Sequence, residues 1–204
     1  MADLYTFTRA QVADIVELYY NRTLGFTELT AFVLGCKRLN RDLRHPLMET
    51  AVTLAGTSVP YTLPDDFMEI KSVYLTSGNT VKELRYVSYE NLKSIQNKRS
   101  GGVPDVYSIN ANTLACGPSL ADTDSIEITY YQKVDETINS EESNLYTKHF
   151  TNLLVYAMLI EAYGFIMDQE AASAYRQLYE TELAAHLRQG WNQSVGSSMY
   201  VRNN

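Results

Sequence analysis

The sequence predicts an α+β fold, mainly α: a four-helix bundle with a β-rich insertion between helix 2 and the penultimate helix, followed by an extended C-terminal tail. Three observations predict it. Apolar residues recur at the helical period over 1–49 and again over 137–189. Between 50 and 136 that period gives way to short segments rich in Val, Ile, Tyr and Thr, split by turn residues. From 190 to 204 no period is visible, which predicts an extended segment. Each terminal helix has one apolar face and only the other terminal helices to bury it against, so the two ends of the chain should close into one body.

Taken in order, Thr8-Arg9-Ala10-Gln11 has capping-box spacing, and Val12, Ile15, Val16 and Tyr19 follow on one face of a helix over 9–22. Gly25 offers a left-handed stop. Thr27 can cap a second helix with the stripe Leu29, Phe32, Val33, Cys36, Leu39 and Leu43, ended near His45 by Pro46. In the insertion, Ser77-Gly78-Asn79 and Asn110-Ala111-Asn112 read as turns. Ile126, Ile128 and Tyr130 alternate with Glu127, Thr129 and Tyr131 as a half-buried strand. One helix interrupts these strands, capped by Ser88 and closed by Lys98-Arg99 and Gly101. Residues 147–167 predict a helix apolar almost all round, buried on several sides; Asn152 and Glu161 leave its apolar run short of the ~20 residues a bilayer needs. After a turn at Asp168-Gln169, Ala172, Tyr175, Tyr179, Leu183 and Leu187 predict a last helix to about 188, with Gly190 ending it.

Composition limits what such a chain does. Of 204 residues 45% are hydrophobic and 20% charged, with 10 Gly and 5 Pro, which excludes collagen, disorder and a disulfide-stapled mini-protein. Net charge is −7, balanced over 1–49 (six acids, six bases) and acidic thereafter, against a main task of neutralising phosphates. Cys36 and Cys116 make no CxxC pair and read as buried hydrophobes. The start MADLYTFTRAQ lacks the basic and apolar regions of a signal peptide, which predicts residence in a reducing cytoplasm. Sixteen tyrosines, each an apolar ring with a polar tip, hint at assembly.

Few residues ask for chemistry. His45, His149 and His186 fall on three elements without metal spacing, so no metal or cofactor is expected. Glu161 has a catalytic flavour if desolvated, and an ordinary reading as the partner of an Arg or Tyr. Lys37, Arg38, Arg41, Arg44 and His45 form the basic cluster, with Arg38, Arg41 and His45 opposite the apolar stripe. It reads as a solvated helix end, an acidic-partner surface, or a phosphate contact. Asp65-Asp66 reads as turn chemistry. Trp191, Met199, Tyr200 and Val201 are apolar anchors in the tail and suggest docking.

The order LPDDFMEIKSVYL (63–75), GGVPDVYSINANTLACGPSLADTDSIEITYYQKVD (101–135) and SNLYTKHFTNLLVYAMLIEAYGFIMDQEAASAYRQLYETEL (143–183) resembles the head-to-tail adaptor proteins of tailed bacteriophages, in particular those of short-tailed phages. The resemblance implies a non-enzymatic virion protein at the neck, assembled in the host cytoplasm. It implies a ring, by family analogy a dodecamer, binding the portal on one side and tail nozzle or tail fibre proteins on the other. Double-stranded DNA would pass through that ring without sequence-specific binding, and no membrane would be involved. By position, 190–204 would be the portal-docking segment. Two other classes stand beside it: a small cytoplasmic DNA-associated regulator using the basic face of helix 2, and a hydrolase with Glu161 as acid.

Overall fold

A computed structural model describes residues 6–20, 28–55, 60–99, 101–118 and 124–200. The fold is mixed α/β, 50% helical and 25% strand, with six α-helices and two sheets among the described residues. The chain divides into two compact units, residues 1–48 with 134–204, and residues 49–133. The first holds α1 (Arg9–Tyr20), α2 (Glu28–Asp42), α4 (Leu145–His149), α5 (Thr151–Phe165) and α6 (Gln169–Tyr200); α3 (Tyr89–Lys98) belongs to the second.

In the helical unit α1 starts at the expected cap. Thr8 Oγ1 accepts the Gln11 N–H at 3.3 Å, and Gln11 Oε1 accepts the Thr8 N–H at 3.0 Å. The next two N–H groups, of Arg9 and Ala10, donate to the Glu142 and Ser140 carbonyls at 2.9 and 3.0 Å. The buried side of α1 is Val12, Ala13, Val16 and Tyr20, one step round from the expected stripe, because Tyr20 rather than Tyr19 meets Tyr163 edge-on at 5.0 Å. The expected stop at Gly25 and cap at Thr27 lie outside the described residues.

Helix α2 buries Phe32, Cys36 and Leu39 as expected, together with Ala31, Gly35 and Asn40, while Leu29 is exposed. Gly35 is a contact point with α5: a Cβ there would stand 2.8 Å from Met158 Cγ and 3.5 Å from the Met158 backbone nitrogen. Helix α5 is the centre of the unit, packed by α1, α2 and α6, and buries eight side chains, from Leu153 to Ala162.

The single helix expected over 147–167 is two. Asn144 caps α4, its Oδ1 accepting the Tyr146 and Thr147 N–H groups at 2.9 and 3.0 Å while Thr147 Oγ1 accepts the Asn144 N–H at 3.0 Å. The break falls at Phe150 (φ −132°, ψ 34°), whose buried ring meets His45 and His186 edge-on, at centroid distances of 5.1 and 4.9 Å. Asp168 then caps α6, accepting the Ala171 N–H at 3.1 Å.

The extended tail expected over 190–204 is not found. Helix α6 runs without interruption to Tyr200, and 201–204 lie outside the described residues. Gly190 does not end it: a Cβ at that position would stand 2.9 Å from Pro46 Cδ and 3.1 Å from His45 Cδ2, so the missing side chain lets α6 pass close over the single 3-10 turn Pro46–Met48. A helical glycine costs only about 1 kcal/mol against Ala.

One buried side chain joins α2 to the segment leading into α4. Asn40 Nδ2 donates to the Val134 carbonyl at 3.0 Å, and its Oδ1 accepts the Val134 N–H at 2.9 Å and the Tyr146 hydroxyl at 2.7 Å.

In the sheet unit, β1 (Glu49–Ala55), β3 (Phe67–Ser77), β4 (Thr80–Glu83) and β8 (Ser125–Gln132) form one sheet in the order β1-β8-β3-β4. A second sheet is β2-β7-β6-β5, from β2 (Tyr61–Thr62), β5 (Arg85–Tyr86), β6 (Val106–Asn110) and β7 (Thr113–Gly117). The alternation read for β8 is present: Ile126, Ile128 and Tyr130 are buried and pair across β3 with Leu75, Val73 and Ile70. With Tyr61, Leu63, Leu84, Tyr107, Leu114 and Cys116 they make one core fed by both sheets. Both expected turns join antiparallel neighbours, and Gly78 takes φ +56° in the first. Ser88 caps α3, and Gln96 Nε2 donates to the Cys116 carbonyl at 2.9 Å. The expected left-handed stop at Gly101 is absent; Arg99 ends α3 in an extended conformation.

Replacing Asn40 by Ala leaves three polar groups unpaired in the interior and is expected to cost about 3 kcal/mol, read as a lower urea midpoint followed by circular dichroism. A second expectation concerns the thiols. Burial pushes both Cys36 and Cys116 up to about 12, so neither should react with a chromogenic disulfide reagent at mildly alkaline pH until denaturant is added, when both should.

Candidate docking surfaces

The basic cluster read from the sequence is not one open face. Arg38 Nε donates to Glu161 Oε1 at 3.0 Å, a second bond runs from its Nη2 to the same oxygen, and the guanidinium lies 5.9 Å above the Tyr179 ring. Arg44 Nη1 donates to the Asn40 and Leu43 carbonyls at 2.9 and 2.8 Å, closing the end of α2 where the helix leaves carbonyls without partners. His45 is 3% exposed, so its reading as part of an exposed basic face is corrected. The physical reason is that α2 ends at Asp42; the chain then turns inward, and the His45 Nδ1 accepts the Leu47 N–H at 3.3 Å. Lys37 and Arg41 stay open: Lys37 is exposed, and the Arg41 side chain is 67% exposed while binding Asp42 through Nε at 2.7 Å.

These contacts tie α2 to α5 and α6. Asp42 Oδ2 accepts the Tyr179 hydroxyl at 3.0 Å, so one carboxylate serves Arg41 on its own helix and Tyr179 on α6. Burial pushes the Asp42 carboxyl upward, but the hydrogen bonds from Arg41 and Tyr179 outweigh it and hold the group below its ordinary range. Burial first, and then the Asp42 charge, drive the Tyr179 phenol well above the ordinary value. Glu161, the residue with a catalytic flavour, is half of an ion pair.

The remaining sequence candidates are accounted for. Asp66 takes the Tyr130 hydroxyl at 2.9 Å on its Oδ1, and Phe67 N–H donates to the Pro64 carbonyl at 3.0 Å, the turn expected before β3. His45 and His186 each pack edge-on against Phe150, a shared contact that spacing along the chain did not disclose. Among the described residues no group of three or more His, Cys, Asp or Glu could hold a metal, and no helix is long and apolar enough to cross a membrane.

Trp191 is 71% exposed on α6, and Asn192 and Gln193 beside it are exposed too. Met199 and Tyr200 form the last turn of the same helix; Val201 lies outside the described residues. Elsewhere on the helical unit Leu18, Tyr19, Phe165 and Met167 stand open, Met167 at 83%. The sequence pattern puts Tyr19 in the apolar face of α1 and Phe165 in a helix buried on several sides, because apolar residues near helix ends look like core until packing is known.

Helices with several large apolar side chains open to solvent, and no cluster of described residues fit for a metal, describe a mixed α/β protein whose class is shown by comparison with known families. The chain belongs to the SU10 adaptor protein family, whose family model matches residues 7–202, nearly the whole sequence and both units. It is a structural adaptor of a bacteriophage, a viral protein of virion assembly. None of the curated proteins compared with the chain matches it.

The charge network makes a pH prediction. Because Asp42 is depressed in the folded chain, its contribution to stability is complete above the ordinary carboxylate value of 3.8 and is lost as pH falls through the depressed one. Wild-type protein should therefore lose thermal stability steeply below about pH 4, and Asp42→Asn should flatten that part of the profile while lowering stability at neutral pH. An unaltered acid limb in the variant would refute the role given to Asp42.

Proposed function

We propose that this chain is one subunit of an adaptor ring, twelve copies by family analogy, seated beneath the portal at the virion neck. The ring would extend the DNA channel, meet the portal on one side and tail nozzle or tail fibre proteins on the other, and perform no reaction. On this reading α1, α2, α5 and α6 act as a four-helix body that is copied round the axis, and the sheet unit is the insertion it carries. The single observation that carries the proposal is the family match across residues 7–202. The net charge of −7 supports it, since duplex DNA must slide through without sticking. A ring needs one surface to meet a different one on the neighbour, and the open residues Leu18, Tyr19, Phe165 and Met167 supply apolar area for such a contact.

The portal-docking segment we assign to the end of α6. Trp191 is exposed near the end of α6, with Met199, Tyr200 and Val201 further along the chain. Apolar anchors of this kind are suited to a groove in a partner. Of the basic cluster, Lys37 and Arg41 are the members left to meet an acidic partner surface. The rival reading as a DNA-associated regulator would need Arg38, Arg44 and His45, which are engaged within the unit.

Mixing the purified chain with its cognate portal and imaging the product should give particles with rotational symmetry. Removing 191–204, which keeps Gly190 against Pro46, should abolish that assembly while the melting temperature of the body stays within a few degrees. Portal binding undiminished by the truncation would remove the tail from the mechanism, and salt-sensitive binding to duplex DNA would favour the regulator.

A further inference from the structure

The sheet unit contains a recess of about 330 Å³ where α3 faces the second sheet. Tyr89, Lys93 and Gln96 of α3 line it, with Ser108 and Asn110 of β6 and Thr113 of β7. Ser108 is 1% exposed, and its Oγ, buried at this wall, has no hydrogen-bond partner among the described residues. A hydroxyl in the interior is ordinarily paired, so an unpaired one lining a cavity points to something that enters it.

The charge of the recess says what enters. Among the described residues Lys93 is the only ionised group on this wall and has no carboxylate partner; it is exposed, with its ammonium 5.3 Å from the Tyr89 ring centroid. Gln96 uses its Nε2 on the Cys116 carbonyl, and Thr113 donates its hydroxyl to the Asn110 carbonyl at 2.9 Å. The donors left over are the Ser108 hydroxyl, the Asn110 side-chain amide and the Lys93 ammonium, a set that matches a planar oxyanion. In a chain of net charge −7 the charge on this wall, among the described residues, is positive. One cation without arginine, walled by Tyr89 and Pro60, does not suit the phosphates of a duplex, which are carried on a rod about 20 Å wide and neutralised by several cations at once.

We propose that this recess binds an acidic side chain on a peptide segment of a partner protein, the carboxylate received by Lys93 and Ser108 and the flanking chain resting on Tyr89. The inference stands apart from the ring reading, because it concerns the sheet unit alone and is tested without portal.

The test titrates the ¹⁵N-labelled full chain with the capped tripeptide Ala-Glu-Ala, using Ala-Gln-Ala and inorganic phosphate as controls. The Glu peptide should give saturable shifts at the amides of Lys93, Ser108 and Asn110, and the Gln peptide should bind about tenfold more weakly or not at all. Lys93→Gln should weaken the Glu peptide about tenfold, and Lys93→Arg should retain binding. Ser108→Ala should weaken binding of the Glu peptide, with thermal stability unchanged or raised because the hydroxyl has no internal partner to lose; undiminished binding would remove Ser108 from the site. Absence of shifts at those amides, equal binding of the two peptides, or phosphate binding as tightly as the Glu peptide would each overturn the proposal. None of these results bears on whether the chain joins a portal.

Discussion

The helical unit depends on how the chain comes back into it at Val134, and that return is held by one carboxamide. Asn40 gives and takes a hydrogen bond with the same residue, Val134, as a neighbouring strand would, and its Oδ1 also receives the Tyr146 hydroxyl. Asn144 repeats the device ten residues on: its Oδ1 caps α4 while its Nδ2 donates to the Asp135 carbonyl at 2.8 Å. Between these points the carbonyls of Ser140 and Glu142 receive the first donors of α1. A leucine at position 40 would continue the apolar stripe of α2 and still be wrong, because every polar group it faced would be left dry. Seating this segment fixes the start of α4, and through Phe150 the start of α5, against which the other long helices pack.

The same economy governs charge. Three arginines gather at the end of α2, and each has a task inside the unit: Arg38 binds Glu161, Arg41 binds Asp42, and Arg44 closes the helix carbonyls. Positive charge of these arginines that looks available for phosphate is thus engaged within the unit, while the chain as a whole carries an acidic surplus, a net charge of −7. On the proposed reading that surplus is useful, since a wall that attracted the phosphate backbone would hold the DNA it has to release.

What could be read from the sequence follows the distance over which each feature is determined. The Thr8 and Ser88 caps, the alternation of β8 and the two turns are set by residues a few positions apart, and all are present. Features set by distant partners were not legible. The break at Phe150 places its ring against His45 and His186, and the stripe of α1 turns one step because Tyr163 meets Tyr20. The parallel pairing of β5 with β6 left no local trace either. At the candidate surface, residue types read correctly as basic proved to be spent on partners such as Glu161, 123 residues away from Arg38, a pairing that no periodicity encodes.

The C-terminal stretch reverses that lesson, for here the local signal was strong and lost. Arg188-Gln-Gly-Trp-Asn-Gln-Ser-Val-Gly-Ser-Ser-Met199 combines two glycines with serines and asparagine, residues that would not start a helix. They do not have to start one. Nucleating a helix fixes three residues for a single hydrogen bond, whereas extending one gains a bond for each residue fixed, so a long preceding helix carries poor formers with it. Asp168 supplies the start, Tyr179 anchors the middle through Asp42, and Gly190 passes close over Pro46 because it has no side chain. At 1.5 Å per residue, the 32 residues of α6 span about 48 Å against about 22 Å for the 15 of α5. A helix twice the length of the one that supports it extends past that support, and a weakly helical end is the part of it that a partner can order or reshape at least cost.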